Sequence, residues 1–474
     1  GRRAPAWPAL AAGRCFLGHG GAWRAVDSAA LHSAAHPADA FAATPARARH
    51  ALPVAVAASL LERHVLAVGA PGSGKSSLLL LLARQAQLRG ECVVVIDPKG
   101  SRDLRERLAA GARAAGLAFL DLQLDGTAPA TRYDPFRHCR DGAACADRLA
   151  VLMADRRDDP FQAFSWGALA TLCQVMLEQG ERPALGRLLE LVPDAGSALL
   201  ATAAGAAPTA AVTALRALVG HDRSHYGKMT APLLPVLALL AGAGGGCLLR
   251  PPAIGDAAVS LDLWRCRAQS ATVYLGLDAL AQPRLTAALA CLLCDDLARQ
   301  ASASWQQGLR QPALQLLVDE AGEVANEALL RLLGKGREAG VRVTFALQTL
   351  SDLEWRLGSE AAARVALGNA GAWFLFRQLD AHSREESEAR LGQLPLEQRS
   401  HQRSQGRSHG GGRHSASRSV AESRSAACMP RVPAAAFGAL QDLECLAQLP
   451  DGQLLHLRLP QAEPGAPCGP GSPH

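Results

Sequence analysis

The chain has few aromatic residues, which make up 4% of its 474 residues. Aromatic side chains are the usual platforms on which nucleic-acid bases stack. The sequence therefore offers few such platforms. Hydrophobic residues account for 49% and charged residues for 19%, which is ordinary for a folded protein. The length fits two or three structural units, or one large α/β domain with an insertion.

A disulfide framework is also lacking, because the twelve cysteines are scattered through predicted strands and helices. Such free cysteines suit a reducing cytoplasm. Cys291 and Cys294 form C-x-x-C inside an apolar helix pattern, and no second pair of ligands follows at zinc spacing. The pattern favours buried helix cysteines over a metal or redox site.

The sequence shows neither a secretory signal nor an uninterrupted membrane span. Residues 229–249 carry no charge, but Pro232, Pro235 and three glycines from Gly244 onward interrupt them. We therefore interpret this stretch as buried helix and loop.

Most of the net positive charge lies in one segment. Residues 399–424 contain six arginines and one acid, Glu422, and so supply +5 of the formal net charge of +6. Ser, Arg, Gly, His and Gln dominate the surrounding residues 391–430, which predicts a disordered linker. Two interpretations of this linker remain open: it contacts DNA or lipid transiently, or it is a solvated linker without a binding role.

Residues 69–76 have the sequence GAPGSGKS, which matches G-x-x-x-x-G-K-[ST] between a predicted strand and a leucine-rich helix. Glycines let backbone N–H groups surround phosphate oxygens, the lysine reaches the outer phosphates, and the serine hydroxyl binds Mg²⁺. The alternative is a glycine-rich loop that carries a lysine by chance. The pattern predicts ATP and Mg²⁺ as cofactors and these phosphate-binding residues: Gly69, Gly72, Gly74, Lys75, Ser76 and Ser77.

A second motif, Asp319-Glu320, follows the apolar strand Leu314–Val318. At the carboxyl end of a strand, Asp319 would join Ser76 in holding Mg²⁺, and Glu320 would polarise the attacking water. An exposed acidic turn is the alternative.

Two further residues are candidates for the catalytic site. Gln348 ends a predicted strand over residues 341–346 and would sense the γ-phosphate, while Arg337 would reach across a subunit boundary. For each, the alternative is a solvated residue. Asp97 and Lys99 end another strand on the ligand-binding edge, although a simple turn explains them as well.

Strand and helix patterns alternate on both sides of a helical stretch, which predicts an α/β fold with a mostly parallel sheet and an all-α insertion. The predicted units are an amino-terminal lead-in (1–50), the first part of a nucleotide-binding domain (51–155), an all-α inserted domain (156–255), the second part of the nucleotide-binding domain (256–390), the disordered linker (391–430), and a carboxyl-terminal strand with a tail (431–474).

Several sequence blocks together resemble the TraD/TraG-like type IV coupling proteins, the conjugation ATPases related to the FtsK/HerA DNA translocases. The resemblance covers about residues 50–390 and is greatest to the TraD subgroup found on integrative conjugative elements. The insertion matches only loosely, around residues 225–229. The blocks are Val94–Gly100, Arg132–Phe136, Tyr274–Leu280, Val318–Ala321, Gly336–Gly340, and Ala346–Thr349 with Asp352-Leu353.

The resemblance implies a RecA-like P-loop NTPase that hydrolyses ATP and forms a homohexamer around a DNA channel. It implies a place at the cytoplasmic face of the bacterial inner membrane, although no anchor is visible in this chain. Its partners would be single- or double-stranded DNA, a relaxase and the subunits of a type IV secretion channel. By the same resemblance, Lys75 and Ser76 contact phosphate and Mg²⁺, Asp319 and Glu320 form the second motif, Gln348 is the sensor and Arg337 the finger acting in trans.

Two other functions remain open. One is an FtsK/HerA-like translocase in chromosome segregation or DNA processing. The other is a docking receptor that binds ATP with little turnover.

Overall fold

The computed structural model describes residues 13–33, 41, 44–124, 131–153, 159–203, 209–251, 256–410 and 413–461. Eleven strands form the main sheet, and two smaller sheets contain two strands each. In chain order the strands are β1 (Arg14–Ala22), β2 (Pro53–Ala57), β3 (Val65–Val68), β4 (Cys92–Asp97), β5 (Phe119–Gln123), β6 (Thr131–Tyr133), β7 (Val259–Leu261), β8 (Thr272–Gly276), β9 (Leu314–Val318), β10 (Val341–Leu347), β11 (Ala372–Leu375), β12 (Gln393–Gly410), β13 (Arg413–Pro430), β14 (Glu444–Gln448) and β15 (Leu454–Arg458).

The main sheet has the order β2-β1-β15-β14-β11-β3-β10-β9-β4-β8-β5. From β11 to β5 every pair of neighbours is parallel. The other four strands, β14, β15, β1 and β2, continue the sheet in antiparallel pairs, and we call them the antiparallel extension. The α/β class with a mostly parallel sheet, as expected from the sequence, is confirmed.

Helices cover both faces of this sheet. In chain order the α-helices are α1 (Ala25–Ser33), α2 (Pro45–Ala48), α3 (Lys75–Leu88), α4 (Arg102–Ala114), α5 (Gly142–Ala150), α6 (Pro160–Glu178), α7 (Leu185–Leu191), α8 (Ser197–Ala203), α9 (Ala210–Val219), α10 (Arg223–Thr230), α11 (Leu233–Ala241), α12 (Ala243–Leu248), α13 (Leu263–Ala268), α14 (Pro283–Gln306), α15 (Ala321–Val324), α16 (Glu327–Lys335), α17 (Leu350–Leu357), α18 (Glu360–Asn369) and α19 (Ala381–Leu391).

Alternation along the strands divides the interior into two cores. Val65 and Ala67 of β3 pack with the leucines of α3 and α4 on one face. Leu66 and Val68 pack on the other face with α14, α16 and α17. Successive side chains of a strand point to opposite faces, so a strand covered on both sides must be apolar throughout. This explains the continuous apolar runs of β3 (Val65–Val68) and of residues 92–96 in β4.

Helix starts follow the capping rules. Ser101, Asp141 and Asn326 each accept a hydrogen bond from a backbone N–H of the first turn of their helix. Thr349 forms a capping box with Asp352 at the start of α17. These side chains satisfy donors that a helix leaves unpaired at its amino end.

Between β6 and β7 every described element, from α5 to α12, is helical. This helical stretch begins at Gly142, ahead of the boundary at residue 156 inferred from the sequence. The uncharged residues 229–249 are divided among α10, α11 and α12. In the described ranges no helix combines the length and the apolar character that crossing a bilayer requires. Cys291 and Cys294 lie buried in α14, as the apolar helix pattern predicts.

The amino-terminal lead-in contains β1, which is paired on both sides, with β2 and with β15. Gly18 and Gly20 have positive φ angles of 125° and 159°. A Cβ atom at these glycines would meet the backbone of Arg458 and His456. Close approach of the two strands therefore requires glycine at both positions. Residues 1–12 lie outside the described residues.

Residues 391–430, for which the sequence predicts a disordered linker, include strands β12 and β13. Strands β12 and β13 pair antiparallel along their full length. A segment of low hydropathy has few apolar side chains to bury. Pairing between strands depends instead on hydrogen bonds between backbone N–H and C=O groups, which almost every residue carries. After it, the chain forms two strands, β14 and β15, where the alternation predicted one. The predicted tail lies outside the described residues from 462 onward.

Candidate nucleotide site

The glycine loop connects β3 to α3, as the motif predicts. Gly72 and Gly74 have positive φ angles of 73° and 120°, a conformation that glycine adopts at little cost. At Gly69, an added Cβ would meet Phe376 and Ser73. The loop therefore requires glycine at all three positions, for its turns at two and for space at the third. The first N–H groups of α3, at Lys75, Ser76 and Ser77, begin where the loop ends and suit an anion.

Lys75 is turned into the loop. Its Nζ donates hydrogen bonds to the carbonyl oxygens of Gly69 at 2.5 Å and Ala70 at 3.0 Å. Burial lowers the pKa of this ammonium, while the charges of Asp319 and Glu320 act in the opposite direction. The positive charge is therefore held at the centre of the loop, where phosphate oxygens would collect.

Ser76 and Asp319 lie together although 243 residues separate them. The sheet order places β10 between β3 and β9, and the carboxyl ends of all three strands meet at one edge. Ser76 Oγ donates a hydrogen bond to Asp319 Oδ2 at 2.8 Å. Two oxygens that share an octahedral Mg²⁺ stand about 2.9 Å apart, and Mg²⁺ prefers oxygen ligands. The pair therefore fits a magnesium ion. Burial raises the pKa of Asp319, and the Ser76 bond opposes that shift.

Glu320 has an unusual backbone. Its φ and ψ are 45° and 57°, in the left-handed region, immediately before the short helix α15. Such a conformation costs a non-glycine residue about 1–3 kcal/mol and is concentrated at functional sites. Oε1 of Glu320 accepts a hydrogen bond from Gln348 Nε2 at 2.7 Å. The same oxygen forms an ion pair with Lys99 Nζ.

Gln348 reaches Glu320 because β10 lies beside β9. It follows the last residue of β10 and precedes the capping box at Thr349. The structure thus brings the amide of the predicted sensor to the carboxylate of the predicted catalytic base.

For Asp97 and Lys99 the sequence left open a place on the ligand-binding edge and a simple turn. Asp97 fits the turn, whereas the side chain of Lys99 reaches the candidate site. Asp97 is a turn residue, since its carboxylate accepts bonds from the backbone N–H groups of Lys99 at 3.0 Å and Ser101 at 2.7 Å. Its Oδ2 also accepts a hydrogen bond from the Tyr274 hydroxyl at 2.7 Å. Burial strongly raises the pKa of Tyr274, so the phenol stays a donor. The turn presents Lys99 to Glu320.

Arg337 lies away from this cluster. It is exposed in a 3₁₀ turn, Gly336–Ala339, just before β10 begins. The seven residues of β10 separate that turn from Gln348, or about 23 Å at the usual rise per residue. Burial, followed by the Arg337 charge, lowers the pKa of His64 to about 4, and His64 precedes β3 at the same edge. Arg337 therefore lies outside the nucleotide site that this chain forms.

Sequence reasoning missed Arg377, which follows β11 on the other side of β3. Its carbonyl oxygen accepts a hydrogen bond from Ala70 N at 2.7 Å. Its guanidinium pairs with Asp442 at 2.9 Å. The rule that found Asp319 and Gln348, a polar residue just after a parallel strand, also applies to Arg377.

Comparisons with known proteins identify the family of the chain and its fold. A family model described as the type IV secretion-system coupling protein DNA-binding domain matches residues 49–460. No curated protein sequence matches the chain.

Solved structures show the same fold. The unbound monoclinic form of the bacterial conjugative coupling protein TrwBdeltaN70 has a TM-score of 0.62 and 17% identity, covering 86% of this chain and 88% of that one. The plasmid coupling protein TrwB in complex with ADP and Mg²⁺ has a TM-score of 0.62 and 16% identity, covering 87% and 89%. VirB4 of Thermoanaerobacter pseudethanolicus has a TM-score of 0.50 and 15% identity, covering 84% and 89%. The expected RecA-like P-loop fold is confirmed.

Proposed function

Since the chain belongs to the type IV secretion-system coupling protein family, we propose that it is an ATP-driven DNA translocase that delivers a relaxase–DNA complex to a type IV secretion channel in conjugation. The single observation that carries this proposal is the cluster at one sheet edge, in which Lys75, Ser76, Asp319, Glu320 and Gln348 meet. Hydrolysis needs Glu320 and Gln348 beside the phosphate- and Mg²⁺-binding groups, whereas a receptor that only binds ATP needs the binding groups alone.

Each side chain has a defined task in hydrolysis. The loop N–H groups and Lys75 bind the phosphates, and the oxygens of Ser76 and Asp319 hold the metal. Bound Mg²⁺ would neutralise charge on the phosphate oxygens. Glu320 accepts the proton of the attacking water, and Gln348 fixes the orientation of that carboxylate. TrwB, a protein of similar fold, has been crystallised with ADP and Mg²⁺ and with a non-hydrolysable ATP analogue.

Arg337 acts in trans in this proposal. It is exposed near the amino ends of the parallel strands, whereas the phosphate loop of its own subunit lies at their carboxyl ends. An arginine so situated stabilises charge on the transferring phosphoryl group only if a neighbouring subunit supplies it. This favours a homohexameric ring in which each nucleotide site lies between two subunits.

The partners follow from the family. The matched family model is that of a DNA-binding domain, and TrwB is a conjugative coupling protein. We therefore extend to this chain DNA, a relaxase and the subunits of the secretion channel as partners. The cytoplasmic face of the bacterial inner membrane is the corresponding location.

DNA-stimulated hydrolysis tests the proposal. ATP turnover of the purified chain is measured with no DNA, with single-stranded DNA and with double-stranded DNA, and the native mass is recorded alongside. We expect DNA to stimulate turnover and the Lys75→Ala and Glu320→Gln variants to abolish it. Equal turnover in wild type and both variants would refute the assignment. ATP binding without turnover in the wild type would identify a docking receptor.

A further inference from the structure

Three side chains of metal-binding type converge in the antiparallel extension, away from the parallel strands. His50 lies in the turn after α2, Glu444 begins β14, and His456 lies in β15. One potential ligand atom from each lies within 4.8 Å of the other two. Three separate parts of the chain therefore meet at one point.

The sheet register explains how two of them meet. His456 pairs with Leu446, and Glu444 pairs with Arg458, on the neighbouring strands β15 and β14. Glu444 and His456 are thus diagonal neighbours on one face of the sheet. Glu444 Oε1 stands 2.9 Å from His456 Nε2 and 4.0 Å from His50 Nε2.

These polar atoms are buried without the hydrogen bonds that burial requires. His456 is 0% exposed and Glu444 is 2% exposed. Among the residues that the structure describes, none forms an aligned hydrogen bond with His50 Nε2, Glu444 Oε1 or either ring nitrogen of His456. Each such unpaired polar atom costs about 1–3 kcal/mol, and a bound ion is one standard explanation. The 2.9 Å contact has the length of a hydrogen bond but not its alignment.

Aromatic rings enclose the cluster. The ring of Trp23 meets that of His456 edge-on at 5.7 Å between centroids, and the Phe41 ring lies 5.3 Å away. An apolar wall of this kind limits the access of water, and thereby strengthens binding between an ion and its ligands.

We propose that His50, Glu444 and His456 bind one divalent transition-metal ion of the zinc class. A tetrahedral zinc ion about 2.0–2.2 Å from each ligand atom leaves those atoms about 3.4 Å apart. The separations in the cluster, from 2.9 Å up to a limit of 4.8 Å, bracket that value. Two imidazoles with one carboxylate favour zinc over magnesium or calcium, which prefer oxygen ligands alone. The fourth position is left for water.

This site adjoins the phosphate loop. Leu443, the residue before Glu444, donates a backbone hydrogen bond to the Ser73 carbonyl at 2.8 Å. Its Cα atom also occupies the space beside Gly74. An ion that holds Glu444 therefore fixes the backbone against which the loop rests. Through His50 and His456, the same ion joins that backbone to β15 and to the segment before β2.

Zinc content tests the proposal directly. The full chain is incubated with zinc, freed of unbound metal by gel filtration in the absence of nucleotide, and assayed by mass spectrometry for zinc per protein. We compare the wild type with His50→Ala, Glu444→Gln and the control His19→Ala. His19 lies in β1 of the same extension and packs against Phe16. We expect about one equivalent in the wild type and control and less than a tenth in the other two. No zinc in the wild type, or equal zinc in His50→Ala, would overturn the proposal.

A second measurement serves if the variants do not fold. The wild type is loaded with Co²⁺, and its visible spectrum and melting temperature are compared with those of EDTA-treated protein. We expect the strong ligand-field bands of a tetrahedral nitrogen and oxygen site and a higher melting temperature with the ion bound. A thiolate charge-transfer band would assign the metal to cysteines, and weak octahedral bands would assign it to oxygen ligands; either result would overturn the proposal.

Discussion

Gln348 donates a hydrogen bond from its Nε2 to Oε1 of Glu320 at 2.7 Å, between the ends of two neighbouring strands. Lys99 forms an ion pair with the same oxygen. The carboxylate of Glu320 is thus held in one orientation by two neighbouring side chains. Preorganised groups of this kind avoid reorganisation during the reaction, which is a major source of catalytic power.

Replacing Gln348 tests that orientation. In Gln348→Ala, Glu320 keeps its charge but loses the amide that directs it, so we expect kcat to fall about 10- to 100-fold with little change in nucleotide affinity. In Gln348→Glu, two carboxylates face each other, which raises the pKa of the pair. The acid limb of the rate–pH profile should then move to higher pH. An unchanged kcat in Gln348→Ala would contradict the positioning role.

The phosphate loop depends on Lys75. Its ammonium bonds two loop carbonyls, and no other lysine lies in the loop. We expect Lys75→Ala to weaken binding of a fluorescent ATP analogue about 30- to 5,000-fold, which corresponds to the 2–5 kcal/mol of a buried charge-assisted contact. The control is Lys228→Ala, because Lys228 is exposed on α10. Equal loss of binding in both variants would indicate a general effect of removing a lysine.

Asp319 should make the nucleotide-free protein less stable at neutral pH. Burial raises the pKa of Asp319 in the folded state above its value in the unfolded chain. The folded protein is therefore most stable, relative to the unfolded chain, when Asp319 is protonated at low pH, and it loses that stability as the pH rises through the pKa of Asp319 in the folded state. Asp319→Asn keeps an oxygen that accepts the Ser76 bond and removes the buried charge. We expect its melting temperature to exceed that of the wild type at about pH 7.5, and the difference to shrink towards about pH 4. A lower melting temperature at neutral pH would contradict this.

In the Asp319→Asn variant, Mg²⁺ should no longer increase the stabilisation that a bound nucleotide gives the folded protein. A thermal-shift titration with and without Mg²⁺ measures this, since a ligand that binds only the folded state raises its melting temperature. Asp352→Asn is the matched control, because Asp352 caps α17 without bonding Ser76.

Arg337 is tested by mixing subunits. Alone, Arg337→Ala and Lys75→Ala should each lose turnover, with the arginine variant about 10³-fold slower or more. In mixed rings, some interfaces combine an intact loop from one subunit with an intact Arg337 from the next, so activity should return. Mixtures that stay inactive, after exchange of subunits has been verified by native mass, would show that Arg337 does not act in trans.

The sequence predicted the parallel part of the fold because that part depends on local patterns, and the same patterns named the candidate site residues that the structure brings together. Continuous apolar strands indicate a sheet buried on both faces, and the ends of parallel strands bring Lys75, Asp319 and Gln348 to one edge. The spacing between these residues in the chain does not matter, since the strand order brings them together.

Of the antiparallel extension, the sequence predicted a single carboxyl-terminal strand, and the other three strands and their pairing escaped prediction for a physical reason. Its pairing joins β1 to β15 across more than 400 residues, and no local pattern encodes such a partner. The absence of a Cβ atom at Gly18 and Gly20 permits the close approach of these strands. The cluster of His50, Glu444 and His456 depends on the same pairing, and so it too was invisible before the structure.

The most direct test of the account is movement along DNA. A biotinylated oligonucleotide carrying streptavidin at one end is incubated with the protein and ATP, and release of streptavidin is followed for each end and for single- and double-stranded DNA. We predict ATP-dependent release by the wild type and none by Glu320→Gln, which still binds ATP. Hydrolysis of ATP without release from any of these substrates, or equal release by the Glu320→Gln variant, would contradict a motor powered by this site.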